Sequence, residues 1–435
     1  MQFPCFLTLI FFFLFFHVFP FLSRGVVPPS QTFNYVNDGE FGPYIVEYDA
    51  NYRVLPIARS PFQMCFYNTT PGEYTLALRM GTTRSESLFR WVWEANRGNP
   101  VGENATFSLG TNGNLVLARN DGGIAWQSNT ANKGVVGLQV LSNGNIVLYD
   151  SKGKYIWQSF DSPTDTILVG QSLRLKGPNK LISRLSDQEN KNGPYSLVLE
   201  PKRFAMYYIG KNSSKPMLYF DSTDFLFLGS SQTIDFLTFN SEPETDDAFA
   251  YELTFVTQNS GNRILSRPKY NSTLTYLRVG VDGGLRAYTF YDKVDYQAWE
   301  MTFTLFPRDS GEECGLPARC GQFGLCEDSQ CVVCPSPNGL LGWNKKCAPP
   351  KPTSCKASDV TYYKIDGVDH FTSKYTKGIG PIKEDDCRRR CTSDCKCSGF
   401  FFKQVESRCW IVYDLMTLSK VENSTHLGYI KTSKI

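Results

Sequence analysis

The feature that most restricts the fold of this chain is an internal repeat. The segment NGNLVLARNDGGIAWQS begins at Asn112, and NGNIVLYDSKGKYIWQS begins at Asn143. The register holds through Val116 and Val147, Leu117 and Leu148, Gly122 and Gly153, Trp126 and Trp157, and Gln127 and Gln158. Each copy reads as a tight turn, an alternating strand, a second turn and a strand ending in Trp. A looser copy precedes them. YTLALRM (74–80) is its first strand, FRWVWEANRGNPV (89–101) its second, and Trp93 stands in the place of the repeated Trp, without the NGN turn. A lone unit of this kind leaves one face of its sheet bare. Three stacked about an axis bury that face in a common core, to which the three Trp contribute large apolar area. No window in 40–175 has the i, i+3, i+4, i+7 spacing of a long helix, so this section is expected to be all-β.

Residues 176–310 continue in β style without a visible repeat. GPYSLVLEPKRFAMYYIG (193–210) and TLTYLRVGVDGGLRAYTFYD (273–292) each read as a hairpin, the latter turning at Asp282-Gly283-Gly284. The acidic stretch EPETDD (242–247) reads as a solvated loop. A second, diverged β domain is expected here.

Cysteine usage then changes sharply. Of fourteen Cys, Cys5 lies at the N-terminus, Cys65 is isolated, and twelve fall between Cys314 and Cys409. Such density belongs to disulfides in an oxidising compartment. The segment holding Cys314, Cys320, Cys326, Cys331, Cys334 and Cys347 is too short for a real core and must be stapled. PPKP (349–352) is a stiff linker to a last segment with Cys355, Cys387, Cys391, Cys395, Cys397 and Cys409. PIKEDDCRRRC reads as the start of a helix with Cys387 and Cys391 on one face. Cys65 reads as a buried thiol within a strand, or else as an intermolecular link.

Residues 1–24 are almost entirely apolar from Cys5 to Leu22 and read as a secretory signal peptide cut near Ser23–Gly25. The alternative is an uncleaved anchor, since the run approaches the length of a bilayer span. No second apolar run of that length follows, so no membrane span is expected after cleavage. Five Asn-x-Ser/Thr sequons, at Asn68, Asn104, Asn212, Asn271 and Asn423, agree with a secreted glycoprotein. A net charge of +3 on 435 residues is too mild to argue for nucleic acid or an anionic membrane.

WEANRGNP (93–100), the NGN repeats and WQSFDSPTDTILVGQSL (157–173) resemble the plant bulb-type (G-type, mannose-binding) lectin family. CGQFGLC (320–326) resembles that family's EGF-like segment, and CRRRCTSDCKCSGF (387–400) its PAN/apple domain. More narrowly, the chain resembles epidermis-specific secreted glycoproteins, which are similar to the extracellular parts of S-locus glycoproteins and S-domain receptor kinases. The resemblance implies a division into a signal peptide (1–24), a β-prism bulb-type lectin domain (40–170), a second lectin-like β domain (171–310), an EGF-like segment (312–348) and a PAN/apple domain (355–435). It also implies pairing of Cys387 with Cys409 and of Cys391 with Cys397. The spacing alone leaves fifteen connectivities open for six Cys.

The family's sugar site follows Gln-x-Asp-x-Asn-x-Val-x-Tyr. Laid on 141–149, Asn145, Val147 and Tyr149 match, while Leu141 and Asn143 replace Gln and Asp. In the earlier copy Asn114 and Val116 match, and Gly110, Asn112 and Ala118 replace Gln, Asp and Tyr. A monosaccharide site of millimolar affinity is worth about −4 kcal/mol, and each unmatched polar group costs roughly 1–3 kcal/mol. Simple mannose binding is therefore not expected. These residues either only form strands, or the domain binds a different or extended wall glycan, or a protein.

Catalytic signals are weak. The chain past the leader has His370 and His426, and no Gly-x-Ser-x-Gly, phosphate loop or His-Glu-x-x-His. Asp161 and Asp165 read as turn residues around Pro163 rather than a carboxylate pair. Cys331-x-x-Cys334 and Cys395-x-Cys397 read as disulfide cysteines rather than metal ligands. The expectation is a non-enzymatic protein of the cell wall or apoplast without cofactor or metal. Its expected partners are wall glycans or glycoproteins, a second copy of the chain, or a receptor-like protein through the EGF-like and PAN segments.

Overall fold

Short alternating strands joined by glycine turns dictate sheets of three or four strands, and these close around two separate cores. A computed structural model describes residues 26–81, 86–213, 215–226, 233–243, 251–258, 261–291, 298–354 and 356–434. The leader 1–24, Cys355, and residues 244–247 of the acidic stretch lie outside the described residues.

The first lobe holds three antiparallel sheets. One contains Asn51–Arg59, Phe62–Thr70, Glu73–Met80 and Arg90–Glu94. The next contains Phe33–Val36, Thr106–Leu109, Leu115–Ala118 and Ile124–Gln127. The last contains Val135–Val140, Ile146–Asp150 and Tyr155–Gln158. Each sheet sends one Trp to the common centre. Ring centroids lie 5.9 Å apart for Trp93 and Trp126, 6.1 Å for Trp93 and Trp157, and 5.6 Å for Trp126 and Trp157, all edge to face. This is the favourable quadrupolar arrangement, closed threefold. Leu76, Leu78, Phe107, Leu115, Leu117, Ile146 and Leu148 pack around the trio. In the turns, Gly113 and Gly144 sit at φ +77° and +84°, a conformation that L side chains rarely adopt.

The second lobe repeats this architecture in a sequence that shows no repeat. Its three four-stranded sheets are Thr166–Leu168 with Thr275–Val279, Leu285–Phe290 and Trp299–Thr304; Ser172–Arg174 with Phe236–Pro243, Tyr251–Thr257 and Gly261–Ser266; and Lys180–Arg184 with Asn192–Glu200, Arg203–Tyr208 and Met217–Asp221. Its core is aliphatic and phenylalanine-rich, centred on Leu173, Leu181, Leu197, Phe204, Phe239, Phe255 and Leu277. Because a Trp no longer marks each sheet, the threefold pattern left no trace in the sequence. Thr166–Leu168 pairs with Thr275–Val279, so the chain has already entered the second lobe at Thr166.

The cysteine-rich end is a mixed unit. Strands Phe323–Glu327, Gln330–Ser336 and Gly339–Gly342 share a sheet with Met416–Lys420 and Val368–His370, through a parallel pairing of Phe323–Glu327 with Met416–Lys420. The two cysteine-rich segments are thus joined by backbone hydrogen bonds across the Pro-rich linker. Disulfides Cys314–Cys326, Cys320–Cys331 and Cys334–Cys347 staple the first. In the second, Cys387–Cys409 and Cys391–Cys397 tie the helix Glu384–Ser393 to its sheet. Cys331 and Cys334 are each bonded to a different partner, which leaves neither thiolate for a metal. Cys395 is also disulfide-bonded. Cys65 is fully buried in Phe62–Thr70 and belongs to none of the five described disulfides.

Cys387 and Cys391 are completely buried, and the helix carries little other apolar surface with which to hold its place. A loop of about twenty residues closed by a disulfide restricts the unfolded chain by about 3 kcal/mol. Cys387→Ser is expected to lower unfolding free energy by that amount, read as an earlier urea midpoint. An unchanged midpoint would mean that the sheet alone holds the helix.

Among the described residues, no helix is long and apolar enough to cross a membrane.

Candidate functional site

The NGN copies converge on the same local chemistry. Asn145 donates from Nδ2 to Gln158 Oε1 at 2.9 Å, and its Oδ1 accepts from Ser159 Oγ and from the Phe160 amide, both at 3.3 Å. Asn114 donates to Gln127 Oε1 at 2.8 Å and accepts from Ser128 Oγ at 3.3 Å and from the Thr130 amide at 2.9 Å. Asn112 and Asn143 face solvent, and their Oδ1 atoms accept from the Asn114 and Asn145 amides. Ser128 and Ser159 accept from the amides of Leu115 and Ile146 at 3.0 and 2.9 Å. In the looser copy Asn96 takes that part, its Oδ1 receiving the Leu76 amide at 2.8 Å. The repeated Asn and the Gln-Ser after each Trp are therefore a clasp between adjacent strands.

The remaining pattern residues agree with a structural role. Val147 is fully buried and Val116 half-buried. Tyr149 is half-buried over Gly137, its strand partner. A Cβ there would lie 2.6 Å from the tyrosine hydroxyl. The structure thus brings Asn145, Val147 and Tyr149 onto one sheet but leaves Asn145 buried, with its Oδ1 and one of its two Nδ2 hydrogens engaged, and Val147 covered.

The sequons divide. Asn104, Asn212, Asn271 and Asn423 are exposed. Asn68 is 4% exposed within Phe62–Thr70, its Oδ1 buried. That burial sets Asn68 apart from the four exposed sequons.

Asp165 lies in the bend between Pro163 and the strand Thr166–Leu168, as a turn residue would, but it does more than turn the chain. It is 5% exposed and pairs with Arg97 Nη2 at 3.0 Å. Arg97 Nε also meets Glu94 at 2.5 Å, and Arg97 Nη1 donates to the Ile182 carbonyl at 3.0 Å. Arg184 lies 3.6 Å from Glu94 and donates to Tyr67, whose hydroxyl in turn bonds Glu94. Arg278 pairs with Glu47 at 2.6 Å, donates to Thr166 Oγ1 at 3.0 Å, and reaches the Trp91 carbonyl. Three arginines and three carboxylates, all nearly buried, thereby lock the first lobe to the second. Burial raises the Asp165 pKa, but Arg97 and Arg278 outweigh it and hold the carboxyl below the usual range. A guanidinium in a run of apolar strand residues, as in TLTYLRV, was the sequence signal for this network, since a buried arginine requires partners.

Two clefts flank these joints. One, of about 670 Å³, opens where the lobes meet and is lined by Glu47, Tyr48, Arg90, Tyr288 and Trp299 among others. The other, of about 860 Å³, lies between the second lobe and the cysteine-rich end and includes His370 on its wall. His370 Nε2 donates to the Asp414 carbonyl at 3.2 Å while Nδ1 faces the Thr372 hydroxyl at 2.8 Å, so the neutral ring is doubly satisfied. Desolvation holds its pKa down to about 4. The unfolded chain therefore binds this proton more readily. The stability that neutral His370 contributes is complete above about pH 6.5 and is lost as the pH falls toward 4, by about 3 kcal/mol. His370→Gln is expected to flatten that part of the curve in urea titrations between pH 7 and 4.5. An identical slope in the variant would assign the acid sensitivity elsewhere.

With this geometry in hand, comparison with known proteins is specific. Residues 90–187 match the D-mannose binding lectin family, and residues 231–343 match the S-locus glycoprotein domain. The chain is 48% identical to EP1-like glycoprotein 2 of Arabidopsis thaliana, over 93% of this chain and 95% of that one. It is 55% identical to the epidermis-specific secreted glycoprotein EP1 of Daucus carota, over 79% of this chain and 93% of that one. A G-type lectin S-receptor-like serine/threonine-protein kinase of Arabidopsis thaliana is 26% identical over 79% of this chain, which covers 39% of the kinase.

Proposed function

The chain belongs to the family of EP1-like glycoproteins, and from that membership we propose that it is a secreted, non-enzymatic, lectin-like protein of the cell wall and apoplast. It binds a wall glycan other than terminal mannose. Its cysteine-rich end is an EGF-like segment followed by a PAN/apple module. The secreted relative and the four exposed sequons, Asn104, Asn212, Asn271 and Asn423, support the extracellular placement. The buried carboxylates Glu94 and Asp165 are both neutralised by Arg97, which supports a structural over a catalytic role for them.

The observation that carries the departure from mannose is the Asn145 amide. Asn145 is 4% exposed, and a sugar hydroxyl could reach its Oδ1 only by displacing Ser159 and Phe160, or its bonded Nδ2 hydrogen only by displacing Gln158. Each polar group so stranded costs roughly 1–3 kcal/mol, comparable to the whole affinity of a weak monosaccharide site. Methyl-α-mannoside titrated into the purified chain is expected to give no heat at millimolar concentration. Asn145→Ala should lower stability by roughly 1–3 kcal/mol and leave wall-glycan binding unchanged. Mannose binding that disappears in Asn145→Ala, with stability intact, would overturn the reading.

One observation favours a second reading, protein–protein contact through the cysteine-rich end. Leu340 and Leu341 are 63% and 60% exposed on the strand Gly339–Gly342. Size-exclusion of the deglycosylated protein, with and without Leu340→Ser, distinguishes a self-associating chain from a monomer.

A further inference from the structure

We propose that the cleft between the two lobes is the carbohydrate site, and that it takes a short neutral oligosaccharide. The inference rests on the reading that the chain binds a wall glycan, and supplies the place and the ligand chemistry. In the repeat strands Asn114 and Asn145 are bonded to neighbouring strands, whereas this cleft combines aromatic faces with hydrogen-bonding groups. Its volume of about 670 Å³ falls within the range of small-ligand sites.

One wall is aromatic. Tyr276 and Tyr288 are stacked with ring centroids 5.3 Å apart, and Trp299 meets Tyr276 edge-on at 5.1 Å. Tyr276 is buried behind, while Tyr288 and Trp299 remain half-exposed toward the cleft. The Trp299 indole donates to the Leu88 carbonyl at 2.5 Å, which fixes a second-lobe ring against the first lobe. Rigid aromatic faces of this kind receive the C–H face of a pyranose with little loss of conformational freedom.

The other wall and the rim are charged yet balanced. Four carboxylates (Glu47, Asp165, Asp187, Asp282) and four arginines (Arg90, Arg184, Arg278, Arg286) line the cleft. Arg278 is paired with Glu47, Asp165 with Arg97, and Arg286 with Asp282 at 2.7 Å. Arg90 is held less tightly. Its Nη1 donates to the Ser87 and Phe89 carbonyls, its Nε lies 3.9 Å from Glu47, and its guanidinium sits 5.9 Å from the Trp299 ring. Donors and acceptors therefore stand together beside the aromatic wall with no excess charge. An anion would meet as many carboxylates as guanidinium groups, and an apolar ligand would strand both. Vicinal hydroxyls satisfy both.

The lip adds an independent sign. Tyr48 and Asp49, neither of them glycine, are both left-handed, at φ +66° and +52°. Strain of this kind persists only where surroundings enforce it, and it concentrates at ligand sites. Here the Tyr48 hydroxyl accepts from Arg278 at 3.1 Å and its ring lies 4.5 Å from the Arg184 guanidinium. The lip is thereby tied to two arginines of the second lobe.

The test titrates cellotriose, xylotriose, mannotriose and galactotriose, with trigalacturonate as the anionic probe, into the full disulfide-bonded chain by calorimetry. At least one neutral trisaccharide is expected to bind. Tyr288→Ala should weaken it about tenfold or more, as loss of one aromatic contact predicts, at an unchanged melting temperature. Tyr288→Phe should bind as the parent does, and Arg90→Gln should also bind more weakly. If neutral binding is untouched by Tyr288→Ala and Arg90→Gln, the cleft is not the site and the glycan reading survives. Binding of trigalacturonate alone would overturn the neutral assignment. No binding by any of the five would overturn the site and the glycan reading together.

Discussion

Arg97→Met is expected to destabilise the protein by about 3–5 kcal/mol, the largest effect of any single change away from the cores. Among the described residues Arg97 is the one cation paired with both Glu94 and Asp165, and the side chains of those two carboxylates are only 3% and 7% exposed. Methionine fills the volume but leaves two buried anions facing each other and the Ile182 carbonyl without its donor. Arg184, at 3.6 Å from Glu94, and Arg278, whose charge also acts on Asp165, each compensate only in part. Adding Asp165→Asn should restore part of the loss, because it removes one of the two anions. Urea unfolding followed by tryptophan fluorescence measures both. A loss below about 1 kcal/mol, the value of an exposed pair, would mean that water reaches the network and that the lobes are joined by something else. The network also sets a direction with pH. The Asp165 pKa is lower in the folded protein than in the free chain, so its contribution is present above the ordinary aspartate pKa and is lost on acidification through the depressed value.

Trp93→Ala should cost about 3–5 kcal/mol, the range for removing a large aromatic from a core. Trp93 is the most buried of the three central rings, 6% exposed, and touches both of the others. Its indole also donates to the Ser162 carbonyl at 3.0 Å, linking the centre of the first lobe to the turn that leads into the second. Truncation therefore removes two aromatic contacts, opens a cavity on the threefold axis and frees a carbonyl. Trp93→Phe retains part of the packing and should lose less. The readout is the urea midpoint of the first lobe together with near-ultraviolet circular dichroism, in which the coupled indoles contribute. If Trp93→Ala shifts neither, the three rings are not the centre of the fold.

Much of the first lobe is legible in the amino-acid sequence, for a simple reason. Its repeat is local. The turn glycines Gly113 and Gly144, the alternating Leu115 and Leu117 or Ile146 and Leu148, and the terminal Trp of each copy all recur within a short stretch of chain. The second lobe hides its three sheets because its aliphatic and phenylalanine core can be filled by many residues of similar volume. Only backbone pairing, such as Thr166–Leu168 with Thr275–Val279, reveals them.

The candidate site is less legible than the fold. Asn145 and Val147 fit the pattern of a sugar strand, but whether an amide is open to a ligand depends on where residues such as Gln158 and Ser159 direct their own hydrogen bonds. The pairing of Asp165 is hidden because its partner Arg97 lies far away in sequence, and the burial of Asn68 is hidden because a sequon does not encode it. Residue type and spacing along short stretches are enough to specify the β architecture of the first lobe, its three central Trp and the cysteine-rich end. Which asparagines are clasps, which carboxylates are buried, and that an aromatic cleft with balanced charge opens between the lobes emerge only once the chain is folded. Those properties arise from pairs of groups distant in the chain, whose energies depend on solvent exclusion and direction.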